Sequence, residues 1–316
     1  MFSMRTFLMV VILSLIPFAS FASDKVRVLH TIGPQAYHAW IYYGKDAGIY
    51  EKHGIDIDIL GSGGSAAKTD VALGMGSAEV SFTDFPSVVI TNHKFKETKI
   101  KMALIVDSMG SDILITRKPI KDLNDLNGMK LGANPNSTSA KLMRIVTNAK
   151  PDFVNIPATL KDIALIKGEI EGFTGYSTMN IPKLVGGLKL EENKDFFVTP
   201  LVSRNEWTVG RGVVFNDKWA TENPDIAKRF VQASIETVKS CYENQPSCLQ
   251  SLENALGSKY DKDVETFRLD YWYEMVVIND KMFTDRTDDV KIYSEKIAKA
   301  LDLKLFSVEN YYVKMH

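Results

Sequence analysis

Cysteine and histidine are scarce in this chain, 2 and 5 among 316 residues. The histidines stand at positions 30, 38, 53, 93 and 316, too scattered for a histidine-rich metal site. No Gly-x-Ser-x-Gly elbow, no His-Glu-x-x-His and no cysteine–histidine pair at catalytic spacing occurs. The sequence therefore offers no catalytic residues, no metal ligands and no cofactor. A net charge of −1 lacks the basic field that a nucleic-acid partner needs. Beyond the first 22 residues no apolar run approaches the ~20 residues of a membrane span. The length suffices for two core-bearing lobes.

The N-terminus reads MFSMRTFLMVVILSLIPFASFASDK. Arg5 supplies a positive start, Phe7 to Ile16 a short apolar run, and Ser20 and Ala22 the small residues of a cleavage site. A signal peptide over 1–22, cut after Ala22, and a periplasmic mature chain are expected. The two cysteines, Cys241 and Cys248, flank a polar Asn-Gln-Pro turn in SCYENQPSCLQ. In an exported chain this pattern predicts a disulfide; a metal pair or a reactive thiol has no histidine nearby to support it.

Short β-branched runs alternate with helical segments, which argues for an α/β fold. Strands are expected at Lys25–Ile32, Ile55–Leu60, Glu79–Thr83 and Ile100–Val106, and helices at Tyr37–Tyr50, Ser65–Leu73 and Phe85–Asn92. The alternation restarts near Ile113 and runs to Thr174, with a helix over Ser137–Asn148. After Phe215 the pattern is mostly helical. An internal echo strengthens this division: ALGMGSAEVSFTD (72–84) and ALIKGEIEGFTGY (164–176) share A-L-x-x-G-x-x-E followed by a strand. One copy ends at Asp84 and the other at Tyr176.

The loops ahead of these units, LGSGGSAAK and GANPNSTSAK, also correspond. Each leads from the carboxyl end of a strand into a helix start rich in capping residues, where N–H groups and hydroxyls face outward. The first is no phosphate loop, because no Gly-Lys-Ser/Thr follows. In open α/β sheets ligands bind beyond the carboxyl ends of the strands. A cleft is therefore expected between the glycine loop with Asp84 on one side and Asn136, Ser137, Thr138 and Tyr176 on the other.

The stretches WIYYGKDAGIYEKHGIDIDIL, GSGG, ALGMGSAEVSFTD, IKDLNDLNGMKLGA and NDKWATENPDIAKRFVQA occur in that order. On these, the chain resembles type II periplasmic solute-binding proteins of ATP-driven importers, in the branch that binds aliphatic sulfonates, taurine, nitrate or thiamine-pyrimidine precursors. The resemblance implies two doubly wound lobes joined by two crossover strands, residues 23–108 with 216–316 and residues 109–215. The crossings would lie near Val106–Ser111 and Val214–Asn216, with the helical C-terminal region on the first lobe. It implies a membrane permease and an ATPase as partners, and a small-molecule ligand that is not chemically changed; the chain is expected to be a monomer. It also adds Gln35, Tyr37, His38, Trp40, Ser62, Ser65, Thr83, Trp207 and Arg211 to the ligand site. Trp40 reads as core ahead of ligand, His38 equally as a surface or supporting group, and Arg211 also as a solvated cation.

The ligand class is open between two chemistries. Asp84 with Tyr37, Trp40, Tyr176 and Trp207 suits a flat molecule bearing an amino group, such as an aminopyrimidine. The helix starts and Arg211 suit a sulfonate, taurine or nitrate. A sensor-linked binding protein and a pyrimidine-synthesising enzyme of the same fold are the other readings, and the cysteine cluster of such an enzyme is missing here.

Overall fold

The computed structural model describes residues 23–316 apart from 96, 98, 109–111, 134–139, 141–142, 144–146, 158–159, 202–208, 278–280, 301–302, 305–306 and 316. Two five-stranded sheets organise it. The first contains β1 (Asp24–His30), β2 (Ile55–Ser62), β3 (Val80–Asp84), β4 (Ile100–Ile105) and β10 (Arg211–Asn216) in the order β2-β1-β3-β10-β4. The second contains β5 (Asp112–Thr116), β6 (Lys130–Gly132), β7 (Asp152–Val154), β8 (Gly172–Tyr176) and β9 (Phe197–Pro200) in the order β7-β6-β8-β5-β9.

Each sheet is a parallel trio, then one antiparallel strand, then an edge strand, β4 or β9, antiparallel to that one. β2, β1 and β3 run parallel, and β10 pairs antiparallel with β3. β7, β6 and β8 run parallel, and β5 pairs antiparallel with β8. In both cases the antiparallel strand is the one that arrives from the other sheet. The echo thus has a structural counterpart, because β3 and β8 occupy the same place. Asp84 stands opposite Arg211, and Tyr176 opposite Asp112.

Apolar side chains cover both faces of the first sheet, as a strand buried on both sides requires. Val26, Val28, Ile57, Phe82 and Val213 pack against helices Ala39–Asp46, Pro224–Glu243 and Lys262–Val276. Met102, Val214 and Phe85 pack with Val290, Tyr293 and Ile297 on the other face. Cys241 and Cys248 are fully buried and bonded to each other, with Cα atoms 5.2 Å apart.

Three expectations need correction. The single helix expected over Tyr37–Tyr50 is a 3-10 turn at Ala36–His38, a helix at Ala39–Asp46 and a short helix at Ile49–Lys52. Gly48 divides the last two in the left-handed region, φ 68°, where a chain without Cβ is unstrained. The crossing expected near Val214–Asn216 falls inside β10, which pairs with β3 and β4 from Gly212 onward; sheet membership changes between Pro200 and Arg211. β9, an edge strand paired only with β5, was not anticipated. The expected helix over Ser137–Asn148 falls largely outside the described residues.

Candidate functional site

The carboxyl ends of β1, β2 and β3 bring three expected segments together. The loop after β2 needs its glycines: Gly61 and Gly64 have φ of 102° and 85°, and a Cβ on Gly63 would collide with Thr69. Its serines serve the turn first. Ser62 Oγ accepts from Gly64 N at 3.0 Å, and Ser65 Oγ caps helix Ala66–Gly74 by accepting from Lys68 N at 3.4 Å. Both hydroxyls keep a proton to donate.

Asp84 ends β3 and caps helix Phe85–Lys94, its Oδ1 accepting from Ser87 N at 2.9 Å. Pro86 fits the first turn, where a missing N–H costs nothing. Burial pushes the Asp84 carboxyl up, against the pull of Ser87 N–H and Arg211. Beneath it, Ser87 Oγ donates to Asp70 Oδ2. Asp70 is fully buried, and burial holds its carboxyl well above the ordinary carboxylate range. Thr83 is also fully buried, within the sheet.

Arg211 is not a solvated cation. Its Nε donates to Asp107 Oδ2 at 2.8 Å, its Nη2 lies 2.7 Å from the same oxygen, and its backbone N donates to Asp107 Oδ1 at 2.7 Å. Trp272 Nε1 adds a fourth contact to Asp107, at 2.8 Å. The guanidinium also lies 4.1 Å from the centre of the Tyr37 ring. Tyr37 is buried, which pushes its hydroxyl up to about 12.

The loop after β1 carries unsatisfied polar atoms. His38 Nδ1 accepts from Gln35 N at 3.2 Å, which puts the ring proton on Nε2. His38 Nε2, His30 Nδ1 and Gln35 Oε1 are buried and have no partner among the described residues. The two imidazoles lie 4.5 Å apart, and burial lowers both, His30 to about 4. Trp40 packs in the core: it is 1% exposed, its Nε1 donates to Tyr37 O at 3.1 Å, and its ring meets the edge of Phe82.

In the second sheet, Tyr176 precedes helix Ser177–Pro182, and its backbone N donates to Asn180 Oδ1 at 3.1 Å. Asn180 Nδ2 donates to Asp162 Oδ1 at 3.1 Å, and Lys183 pairs with Asp162 at 2.6 Å. Asp162 and Asp70 therefore hold corresponding places, each two residues ahead of an Ala-Leu of the echo and each fastening the helix that follows the strand. The sequence carries the same correspondence, D-x-A-L at 70–73 and at 162–165. Asn136, Ser137, Thr138 and Trp207 lie outside the described residues. Among the described residues, no group of three or more His, Cys, Asp or Glu side chains could hold a metal, and no helix is long and apolar enough to cross a membrane.

Solved structures share this fold. The aliphatic sulphonate binding protein SsuA of Escherichia coli superposes with a TM-score of 0.68 at 13% identity, covering 92% of this chain and 92% of that one. The CA3427 gene product of Candida albicans, described as having the generic periplasmic binding protein fold, gives 0.66 at 13%, over 92% and 96%. The nitrate-binding protein NrtA of Synechocystis PCC 6803 gives 0.59 at 13%, over 89% and 86%. No curated protein sequence matches. The NMT1/THI5 like family matches residues 35–247, more than half of the chain. The two sheets, each a parallel trio flanked by the strand that crosses from the other, have the fold of a type II periplasmic binding protein, and the chain belongs to the NMT1/THI5-like family.

Proposed function

We propose that this protein is the periplasmic ligand-capturing component of an ABC importer, and that its ligand is small, polar, partly planar and bears an amino group. It hands the ligand unchanged to a permease with its ATPase, and acts as a monomer without catalysis. The lobes divide close to 23–108 with 216–316 and 109–215, with all of β10 on the first lobe. Cleavage after Ala22 releases the mature chain.

The observation that carries the ligand class is the Arg211–Asp107 pair. The cation expected to meet an anionic ligand is already neutralised by a carboxylate that is 3% exposed. Among the described residues Asp84 receives backbone N–H groups, Ser87 first, so an amino group in the cleft would add a side donor to its desolvated carboxyl. Tyr37, Tyr176 and Trp207 would stack on the flat part of such a ligand, and Gln35 and His38 would offer it the open polar atoms of the β1 loop.

A sulfonate, taurine or nitrate is the second reading, favoured by the relatives of known ligand and by the Ser65-capped helix start. A thermal-shift series with 4-aminopyrimidine, taurine, methanesulfonate and nitrate separates the two. A ligand at a hundredfold excess over its dissociation constant stabilises by about 2.7 kcal/mol. Stabilisation by methanesulfonate and nitrate but not by 4-aminopyrimidine rejects the amine reading.

A further inference from the structure

Helix Lys262–Val276 touches the loop after β1, the helix after β8 and the segment that leaves the first sheet along one face. Glu265, Arg268 and Trp272 follow one another at spacings of three and four, which puts them on a single stripe. Glu265 Oε2 accepts from Ala36 N at 2.7 Å, in the loop after β1 that carries Gln35, Tyr37 and His38. Arg268 pairs with Glu265 Oε1, and its Nε donates at 2.9 Å to Thr178 O, two residues beyond Tyr176. Trp272 holds Asp107, the partner of Arg211. At the end of the helix Met275 O accepts from both Ser108 N and Ser108 Oγ, at 2.8 and 2.9 Å, where the chain leaves the first sheet. Glu265 and Arg268 are 7% and 5% exposed.

We propose that helix Lys262–Val276 couples the separation of the lobes to the loop after β1, with Arg268 as its positioning residue. The inference rests on the two-lobe reading above. Guanidinium geometry explains the choice of residue. One rigid fork reaches the Glu265 carboxylate with Nη1 and the Thr178 carbonyl with Nε, two separate nitrogens held at a fixed spacing, where an ammonium has a single nitrogen on a flexible stem. A buried pair of this kind tolerates two packings better than intermediate ones, because a half-made arrangement leaves a desolvated charge unpaired. When Thr178 moves away with the second lobe, Arg268 loses one acceptor and Glu265 is freed to shift, and with it Ala36 and the ligand-facing atoms beside it. The exposed Lys189–Asp263 bridge, 2.7 Å, also joins this helix to the second lobe but touches nothing in the β1 loop.

Amide hydrogen exchange on the ligand-free mature chain tests the coupling without any ligand, so its failure is separate from failure of the ligand class. In Glu265→Gln the change is made beside Ala36, and exchange should accelerate about tenfold both at 36–38 and at 177–182. In Arg268→Lys the same two segments should accelerate, and the radius of gyration should rise. Lys189→Ala should leave 36–38 unchanged. Acceleration confined to the substituted side, or an equal response of 36–38 to Lys189→Ala, overturns the proposal. Each variant is read separately, so a misfolded Arg268→Lys leaves the Glu265→Gln result decisive.

Discussion

Asp84 and Arg211 stand opposite each other across β3 and β10, yet the ion pair that forms is between Arg211 and Asp107. The antiparallel register sets Arg211 at the end of β10 beside Asp84, and Asp107, 104 positions earlier in the chain, takes the guanidinium. Asp84, with burial raising its carboxyl, is left with the Ser87 N–H.

Asp84→Asn isolates the charge of that carboxyl. Asparagine caps a helix about as well as aspartate, so helix Phe85–Lys94 should keep its start. The affinity for 4-aminopyrimidine should fall roughly thirtyfold, the equivalent of about 2 kcal/mol for a charged hydrogen bond. Asp84→Ala should lose the same affinity and about 1 kcal/mol of stability besides, because it also removes the cap. Calorimetric titration and urea unfolding read the two effects separately.

Asp107→Asn and Arg211→Met should each cost about 3–5 kcal/mol, since each leaves a buried charge without its partner. The double variant should cost less than the sum, the mark of a coupled pair. Asp107→Asn also frees the guanidinium, so methanesulfonate should bind this variant more tightly than the parent chain. Unchanged methanesulfonate binding would mean that Arg211 does not face the ligand.

The echo from 72–84 to 164–176 was legible because helix, glycine turn and strand are each local patterns, and the two strands do occupy matching places. The loop after β2 was legible for the same reason, from glycines that only a left-handed turn demands. The partner of Arg211 was not. Its choice of Asp107 depends on a register set by a crossing more than a hundred residues away, and no local signal encodes it. Glu265 and Arg268 carry no sequence signal beyond a charge pair three residues apart; their partners, Ala36 N and Thr178 O, lie 229 and 90 positions away. The core reading of Trp40 has a bond behind it that composition does not show, its indole N–H donating to Tyr37 O in its own turn.

Reduction of the Cys241–Cys248 bond should lower stability by roughly 2–3 kcal/mol in the chain-entropy account of so short a loop. The bond joins helix Pro224–Glu243 to helix Gln245–Leu256 across the turn at Asn244, inside the first core. A Cys241→Ser/Cys248→Ser chain unfolding at the same urea concentration as the oxidised parent would contradict this.

The buried His30 makes stability depend on pH. Burial lowers its folded value to about 4 from the ordinary 6.5. Between those values the unfolded chain binds the proton that the folded chain refuses, so acidification favours unfolding. Stability due to neutral His30 is full above about pH 6.5 and is lost as pH falls toward 4, by on the order of 3 kcal/mol. Asp70 and Asp84 act in the opposite sense, because their raised folded values let the native state take up protons first. A comparison of the parent with His30→Gln cancels those carboxyl effects, which both chains share. The stability of the parent relative to His30→Gln should therefore drop by about 3 kcal/mol between pH 7 and pH 4 in urea unfolding. A difference that stays constant over that range would mean that the ring at position 30 accepts its proton inside the fold as readily as outside it.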